Sequence, residues 1–417
     1  MADAVWDIVV VGAGAAGLLA AARAAELGGR VLLLEKNRRP GVKILMSGGT
    51  RCNLTHATDN RGIVTAFGPA GRFLHSALAA LSVQDTIALF EAEGVHTKVE
   101  ETGKVFPVSN KASDVLEALL RRLRRSGATL VTEEPVREFG AREPGFALTT
   151  PHRVVSARRV ILTTGGQSYP GSGTTGDGYA RAAVFGHTII PPRPALVPIT
   201  VAAPWIAELR GVTIPDVAVC VREEGRRLAA ARGSLLFAHF GLTGPVILDV
   251  SRAVSGHPSP ATLRIEIDLL PATAEQELDE SLRVESAAEG RKQLAAIVAG
   301  RLPKRLAEAV LPQAGLARDR KAAALSRPER QRLVGALKRL SLQVTGTLGF
   351  GKAEVTAGGI ALDEVDSRTM QSKKVAGLYL AGEVLDLDGP IGGYNFQAAW
   401  STGWLAGQSA ADFPGTP

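Results

Sequence analysis

The strongest constraint on this chain lies in its first thirty-five residues. The run Asp7-Ile8-Val9-Val10-Val11 is apolar and β-branched after its first residue, and it ends in Gly12-Ala13-Gly14-Ala15-Ala16-Gly17. An Ala-rich helical pattern continues to about Glu26. A second apolar run, Val31-Leu32-Leu33-Leu34, then closes on Glu35. Such a strand–turn–helix–strand unit has a specific use. Gly12 permits the tight turn, Gly14 lets a pyrophosphate approach the backbone, and Gly17 lets helix and strand pack closely. The helix N-terminus, where Ala15 and Ala16 stand, offers free N–H groups and a partial positive charge. Glu35 is placed to accept hydrogen bonds from a ribose. Glycine spacing alone is weak evidence in a chain with 46 glycines. The strand before, the helix after and the acid beyond carry the reading of a dinucleotide site.

A length of 417 residues predicts two or three domains. The longest apolar runs are strand-length, so no membrane span is expected. The first residues run straight into a strand, with no secretory pattern. The two cysteines, Cys52 and Cys220, are far apart, which argues against a dithiol pair or a zinc site. The expected setting is the reducing cytoplasm. The net charge of +7 is unevenly spread. Between Arg301 and Leu340, eleven Lys and Arg residues face only Glu308, Asp319 and Glu329. This segment is either a footprint for a polyanion or the solvated face of helices.

Further along, a basic turn runs from Lys36 to Lys43 and leads into Ser47-Gly48-Gly49-Thr50-Arg51-Cys52-Asn53. This stretch presents backbone N–H groups to an anion or a flavin edge, and Arg51 and Asn53 add side-chain donors. Val160-Ile161-Leu162 reads as a buried parallel strand ending in Thr163-Thr164-Gly165-Gly166, at the strand end where open α/β sheets bind ligands. Composition shifts at Pro191-Pro192-Arg193-Pro194. Short strand patterns follow, as in a small barrel. His239, among aromatics and glycines, faces a substrate or packs in a core. From Thr273 to Leu340 the pattern is helical. Strand character then returns, and an apolar run ends in Ala381-Gly382-Glu383, followed by Gly392-Gly393 at a helix start.

The ends of the chain therefore predict one split α/β domain, residues 1–192 with 345–417. Residues 193–272 form an inserted barrel-like domain, and 273–344 a helical subdomain. A closing Gly-Glu strand with a second glycine-tipped helix is what FAD folds of the glutathione-reductase type use. There the acid serves the ribityl–phosphate region. One dinucleotide fingerprint is present, so a nicotinamide donor, NAD(P)H, would dock without a Rossmann domain of its own.

Five stretches make the resemblance specific. They are the first glycine turn, Ser47–Asn53, Thr164-Gly165-Gly166-Gln167-Ser168-Tyr169-Pro170, Val355-Thr356-Ala357-Gly358-Gly359, and the segment from Gly382 through Asp388-Gly389-Pro390-Ile391-Gly392-Gly393-Tyr394-Asn395. Together, and in order along nearly the whole chain, they resemble the BaiN/RdsA (YhiN-like) flavoprotein family. Thr50 stands where that family usually has Gly, and Leu54 where Phe is common. The resemblance implies bound FAD in a split Rossmann-like domain with an inserted barrel and a helical subdomain. It implies cofactor contacts from the glycine turn, Glu35, Lys36 and Lys43, and from the Ser47–Asn53 loop. Val136, Thr164, Gly165 and Gly166 extend that set, as do Gly382, Glu383, Asp388 and the Gly392–Asn395 turn.

Family activities include reduction of a conjugated C=C in steroid-like substrates, reduction of uridine in ribosomal RNA, and amine oxidation. The two reductions share one chemistry: hydride goes to the β-carbon of an enone-like system and an acid protonates the α-carbon. Uridine in ribosomal RNA is the favoured substrate, because the basic segment suits it. Cys52 beside Arg51 is the first candidate acid, with Arg51 lowering its pKa and polarising a carbonyl. A small buried thiol is the plainer reading. Tyr394 and His239 are rival donors. A flavin-binding RNA or ribosome factor without turnover is the non-enzyme alternative.

Overall fold

A computed structural model describes residues 5–143 and 145–412. The chain divides into two compact units. One holds Met1–Arg193 with Val355–Pro417, the other Pro194–Glu354.

The first unit is built on a sheet whose central strand is Trp6–Val11. It pairs in parallel with Val31–Leu34 on one side and with Val154–Leu162 on the other. Thr129–Val131 extends the sheet in parallel beyond Val31–Leu34. The strand Val154–Leu162 has two partners in succession. Its first half alternates buried and exposed and pairs antiparallel with Gly145–Thr149. Its last residues, Val160-Ile161-Leu162, are all buried and pair in parallel with Leu378–Leu380. Alternation suits a sheet wetted on one face, and a continuous apolar run suits one covered on both. The C-terminal stretch thus enters the sheet beside the strand that neighbours the N-terminal one.

Helix Ala15–Glu26 covers this sheet and is itself covered by the last helix, Tyr394–Asp412. The contact is made through glycine. A Cβ on Gly403 would lie 2.4 Å from the Ala16 carbonyl oxygen, and one on Gly407 2.3 Å from that of Ala20. Small residues four apart let two helix backbones approach more closely than any side chain permits.

The second unit contains a closed six-stranded barrel. Its strands, in order around the barrel, are Ile199–Val201, Gly241–Thr243, Arg226–Ala238, Thr213–Glu223, Arg264–Asp268 and Leu340–Thr347. The barrel and the helices between residues 275 and 338 form one compact unit, with a shared apolar core that includes Val219, Leu235, Ile267, Leu278 and Leu337. Sequence reading sets the return to the first domain at 345. The structure places it at Val355, because Leu340–Thr347 is needed to close the barrel against Ile199–Val201 and Arg264–Asp268.

The basic segment is folded against its counterweight. Arg330 pairs with Asp279 at 2.8 Å, Lys338 with Asp268 at 2.6 Å, and Arg320 with Glu329 at 2.8 Å. Arg301 pairs with Glu285 and Arg339 with Glu275. Arg318 reaches Glu208. The acidic helix Glu275–Ala288, remote in sequence from most of its partners, neutralises much of the local excess.

One buried cluster sits where the chain leaves the first unit. His187, 4% exposed, has Nδ1 3.2 Å from Glu364 and Nε2 2.8 Å from Ser372 Oγ. Ser372 Oγ already accepts the backbone N–H groups of Lys374 and Val375, each at 3.0 Å. Both its lone pairs are engaged, so it donates to His187, which is held neutral with its proton on Nδ1. Burial lowers the His187 pKa, against the pull of Glu364.

Two outcomes follow. Gly403→Ala forces a methyl into the Ala16 backbone and lowers the melting temperature by about 5 °C or more, read by circular dichroism. The unfolded chain binds a proton at His187 that the folded chain refuses. This contribution to stability is therefore complete above the ordinary histidine pKa of about 6.5 and is lost as pH falls below it. His187→Gln flattens the fall in melting temperature between about pH 6.5 and 5.

Candidate cofactor and active site

The glycine turn has the expected local form. Gly12 adopts φ +102°, and a Cβ there would meet the Thr163 carbonyl oxygen at 2.8 Å. A Cβ on Gly17 would lie 1.8 Å from the Gly12 carbonyl oxygen. The protein itself thus demands glycine at both positions. At Gly14 it does not: a Cβ would meet nothing within 4 Å. Its missing side chain leaves open space at the N-terminus of helix Ala15–Glu26. Glu35, buried at the end of its strand, accepts the N–H groups of Ala13 and Asn37, each at 2.8 Å. Its carboxylate is thereby oriented beside the turn. Lys36 is held by Thr175 Oγ1 at 2.8 Å and Asp177 at 3.2 Å.

The Ser47–Asn53 stretch is a strained turn capping a short helix. Ser47 is extended, Gly48 and Gly49 are left-handed, and Thr50 and Cys52 also take positive φ, at 69° and 60°. Left-handed geometry at a β-branched threonine is a genuine outlier and has to be held by surroundings. The surroundings are the start of the last helix. Thr55 Oγ1 donates to Gln397 at 2.6 Å, and Trp400 Nε1 to the Leu54 carbonyl at 2.9 Å. His56 Nδ1 lies 3.1 Å from the Gly392 carbonyl, and its ring stacks on Tyr394 with centroids 4.6 Å apart. Gly393 cannot carry a side chain, since a Cβ would sit 2.4 Å from the Thr55 carbonyl oxygen. Asn395 pins the preceding turn, accepting from Gly389 N–H and donating to the Gly389 and Pro390 carbonyls. Two motifs more than three hundred residues apart form one docked assembly.

Lys43 and Glu383, each assigned a separate cofactor contact from sequence, meet each other. They form an ion pair, and Ser168 Oγ bridges them at 2.7 Å to each. Glu383 also accepts from Thr356 N–H at 2.8 Å. Gly166 packs on this network, where a Cβ would be 2.3 Å from Thr356 Oγ1. Val136 is buried, with its carbonyl accepting from Arg181. Asp388 is half-buried within the turn that Asn395 pins.

The expectation of an Arg51-activated thiol is corrected. Arg51 turns away from Cys52, pairing with Glu100 at 2.7 Å and lying 3.9 Å above the Phe106 ring. Cys52 is fully buried, and burial pushes its pKa up to about 12, with a Ser47 hydrogen bond opposing. The thiol stays protonated and enclosed. His239 is exposed, so it is not a packed core histidine. Sequence reading did not single out His56, Gln397 or Trp400, which lock the assembly. No periodic pattern marks them, and their partners are non-local.

The residues fit a flavin dinucleotide. Asn53 Oδ1 and Thr164 Oγ1 are buried and have no hydrogen-bond partner among the described residues. Buried polar atoms are satisfied in native proteins, so both await a polar group from outside. The open space at Gly14 and the absence of a Cβ neighbour at Gly49 belong to the same assembly. Among the described residues no group of His, Cys, Asp or Glu side chains is arranged to hold a metal, and no single helix is long and apolar enough to cross a membrane.

Comparisons agree with this geometry. Residues 6–409 match the profile described as HI0933-like protein Rossmann domain. A ribosomal RNA dihydrouridine synthase of Escherichia coli is 36% identical over 406 residues, covering 97% of each chain. A 3-dehydro-bile acid delta(4,6)-reductase of Clostridium scindens is 32% identical over 410 residues, 98% of this chain and 99% of that one. Among solved structures, a 3-ketosteroid-delta4-(5alpha)-dehydrogenase from Rhodococcus jostii superposes with a TM-score of 0.53 at 16% identity, covering 98% and 97% of the two chains. At that identity the likeness is one of fold.

The enclosed thiol gives a direct test. In the native protein an aromatic disulfide reagent at pH 8 is expected to titrate Cys220 and leave Cys52 unmodified. Both react after denaturation. Rapid native modification of Cys52 would contradict its placement.

Proposed function

This chain belongs to the HI0933-like Rossmann-domain family and is an FAD-dependent oxidoreductase, and from that premise we propose that it reduces uridine in ribosomal RNA with electrons from NAD(P)H. The observation that carries the proposal is near-full-length identity of 36% and 34% to two proteins named ribosomal RNA dihydrouridine synthase. The bile acid reductase, at 32%, supports a second reading with the same chemistry on a steroid-like enone. FAD, when bound, supplies hydride-transfer chemistry to an electron-poor C=C.

The chain's own residues have the remaining tasks. Gly14 and the N–H groups at the start of helix Ala15–Glu26 are suited to the pyrophosphate, and Glu35 to the ribose. The Ser47–Asn53 turn, Thr164, Gly165 and the Gly392–Asn395 turn would hold the ring end, with Asn53 Oδ1 and Thr164 Oγ1 gaining partners there. A carbon that accepts hydride leaves its neighbour in need of a proton. Cys52 keeps its proton behind a closed wall of side chains. Tyr394, half-exposed at the tip of the last helix and fixed by His56, is the proposed donor. NAD(P)H would dock without a second dinucleotide fold, since the second unit is barrel and helices among the described residues.

The test is the dihydrouridine content of ribosomal RNA, measured by mass spectrometry, in a strain lacking this gene and after complementation. Loss on deletion and return with the wild type are expected. Tyr394→Phe should retain flavin absorbance, still bleached anaerobically by NAD(P)H, but turn over about a hundredfold more slowly. Unchanged dihydrouridine in the deletion strain sinks the RNA substrate. Reduction of a steroid enone by the same preparation would then favour the second reading.

A further inference from the structure

The basic helical segment is a poor landing site for RNA, because most of its charge is already paired within its own unit. A better surface lies on the first unit, beside the turn that shapes the site. Thr55–His56, Lys104–Pro107 and Thr97–Val99 form a three-stranded antiparallel sheet. His56 stands opposite Lys104, and Lys98 opposite Phe106. Lys104 and Phe106 are two apart on one strand, so all four side chains share one face. The other face turns Thr55 and Val105 into the core.

Each residue on this face suits a single-stranded nucleic acid. Lys98 and Lys104 are half-buried and make no ion pair among the described residues. Phe106 is buried beneath the Arg51 guanidinium. Glu100 holds that guanidinium through one nitrogen at 2.7 Å, while the Arg51 side chain keeps 37% exposure. A guanidinium plane backed by an aromatic ring and held by a carboxylate is a rigid stacking surface for a base. His56 lies against the hairpin turn, where a Cβ on Gly103 would come within 2.6 Å of its Nε2. Its ring also stacks on Tyr394, so the face runs on to the tip of the last helix. Glu101, exposed at the turn, bounds it.

We propose that the sheet face carrying Arg51, His56, Lys98 and Lys104 receives the single-stranded RNA that flanks the target base. Phosphates are met by the two lysines and a flanking base by Arg51. This rests on the RNA reading above and adds where the strand lies.

The experiment uses FAD-loaded full-length protein and a fluorescein-labelled, uridine-containing RNA decamer, with binding followed by anisotropy over a range of salt. Lys98→Glu with Lys104→Glu should weaken binding at least tenfold and reduce the salt slope by about 2. Arg51→Lys keeps the charge but loses the plane, and should also weaken binding about tenfold. Lys321→Glu with Arg327→Glu, both exposed on the helical segment and in no ion pair among the described residues, should leave binding unchanged. Tyr394→Phe should bind normally and turn over slowly, separating grip from chemistry. Retained flavin absorbance and melting temperature certify each fold. If wild type binds RNA and the Lys98/Lys104 pair changes nothing, this face is overturned while the RNA substrate stands. Loss of binding with Lys321 and Arg327 instead would return the footprint to the helical segment. A wild-type holoenzyme that binds no RNA overturns both.

Discussion

The rest of the structure depends on a backbone-to-backbone contact between the first and last helices. Gly403 and Gly407 abut the carbonyls of Ala16 and Ala20, where a single methyl has no room. This contact brings the N-terminal turn and the tip of the C-terminal helix into one rigid unit, though almost four hundred residues of chain lie between them. It also sets the strand end between them. Gly382 N–H donates to Thr402 Oγ1 at 3.0 Å, and a Cβ on Gly382 would touch that of Ala16 at 2.9 Å. Glu383 therefore emerges at a defined point, facing Lys43, Ser168 and Thr356. The network around Glu383 is thus a consequence of helix packing as much as of its own hydrogen bonds.

Strain in the Ser47–Asn53 turn follows from the same geometry. Left-handed backbone at Thr50 and Cys52 costs on the order of 1–3 kcal/mol at each. The cost is offset because the following residues are bonded to the last helix through Gln397 and Trp400, and Cys52 N–H is tied to the Ser47 carbonyl at 3.1 Å. A turn fixed in this way does not relax when it meets a ligand, so its N–H groups keep their aim. Preorganisation of this kind is what lets dipoles act at full strength in a closed site.

Local patterns in the sequence were informative where the cause of structure is local. The glycine turn, the strands around it, the barrel pattern and the break at Pro191–Pro194 all arise from neighbours within a few residues. Gly403 and Gly407 escaped notice because nothing next to them requires glycine. The requirement comes from Ala16 and Ala20, across the fold. Cys52 misled for a related reason. Adjacent Arg51 suggested an activated thiol, but two neighbours with positive and negative φ point apart: the thiol goes inward, and the guanidinium goes to Phe106 and Glu100. Lys43 and Glu383 were each read from sequence as a cofactor contact, and their mutual pairing could not be read from positions 340 residues apart.

Charge shows the same limit and has a functional consequence. An excess counted along the chain is not a surface potential, because the acidic partners of Arg301, Arg330, Lys338 and Arg339 come from another helix and a barrel strand. What attracts a polyanion is cation left unpaired after folding. On the first unit, Lys98 and Lys104 meet that condition next to a flat guanidinium and a stacked aromatic pair. A recognition face on the same rigid unit as the strained turn and the helix tip has a mechanical advantage. On the RNA reading proposed above, the base would be placed by the elements that place the site, and its approach would not vary with the position of a separate domain. Hydride and proton delivery to adjacent carbons tolerates errors of well under an ångström. Continuity between grip and chemistry within one packed unit is the simplest way to hold a substrate to that standard.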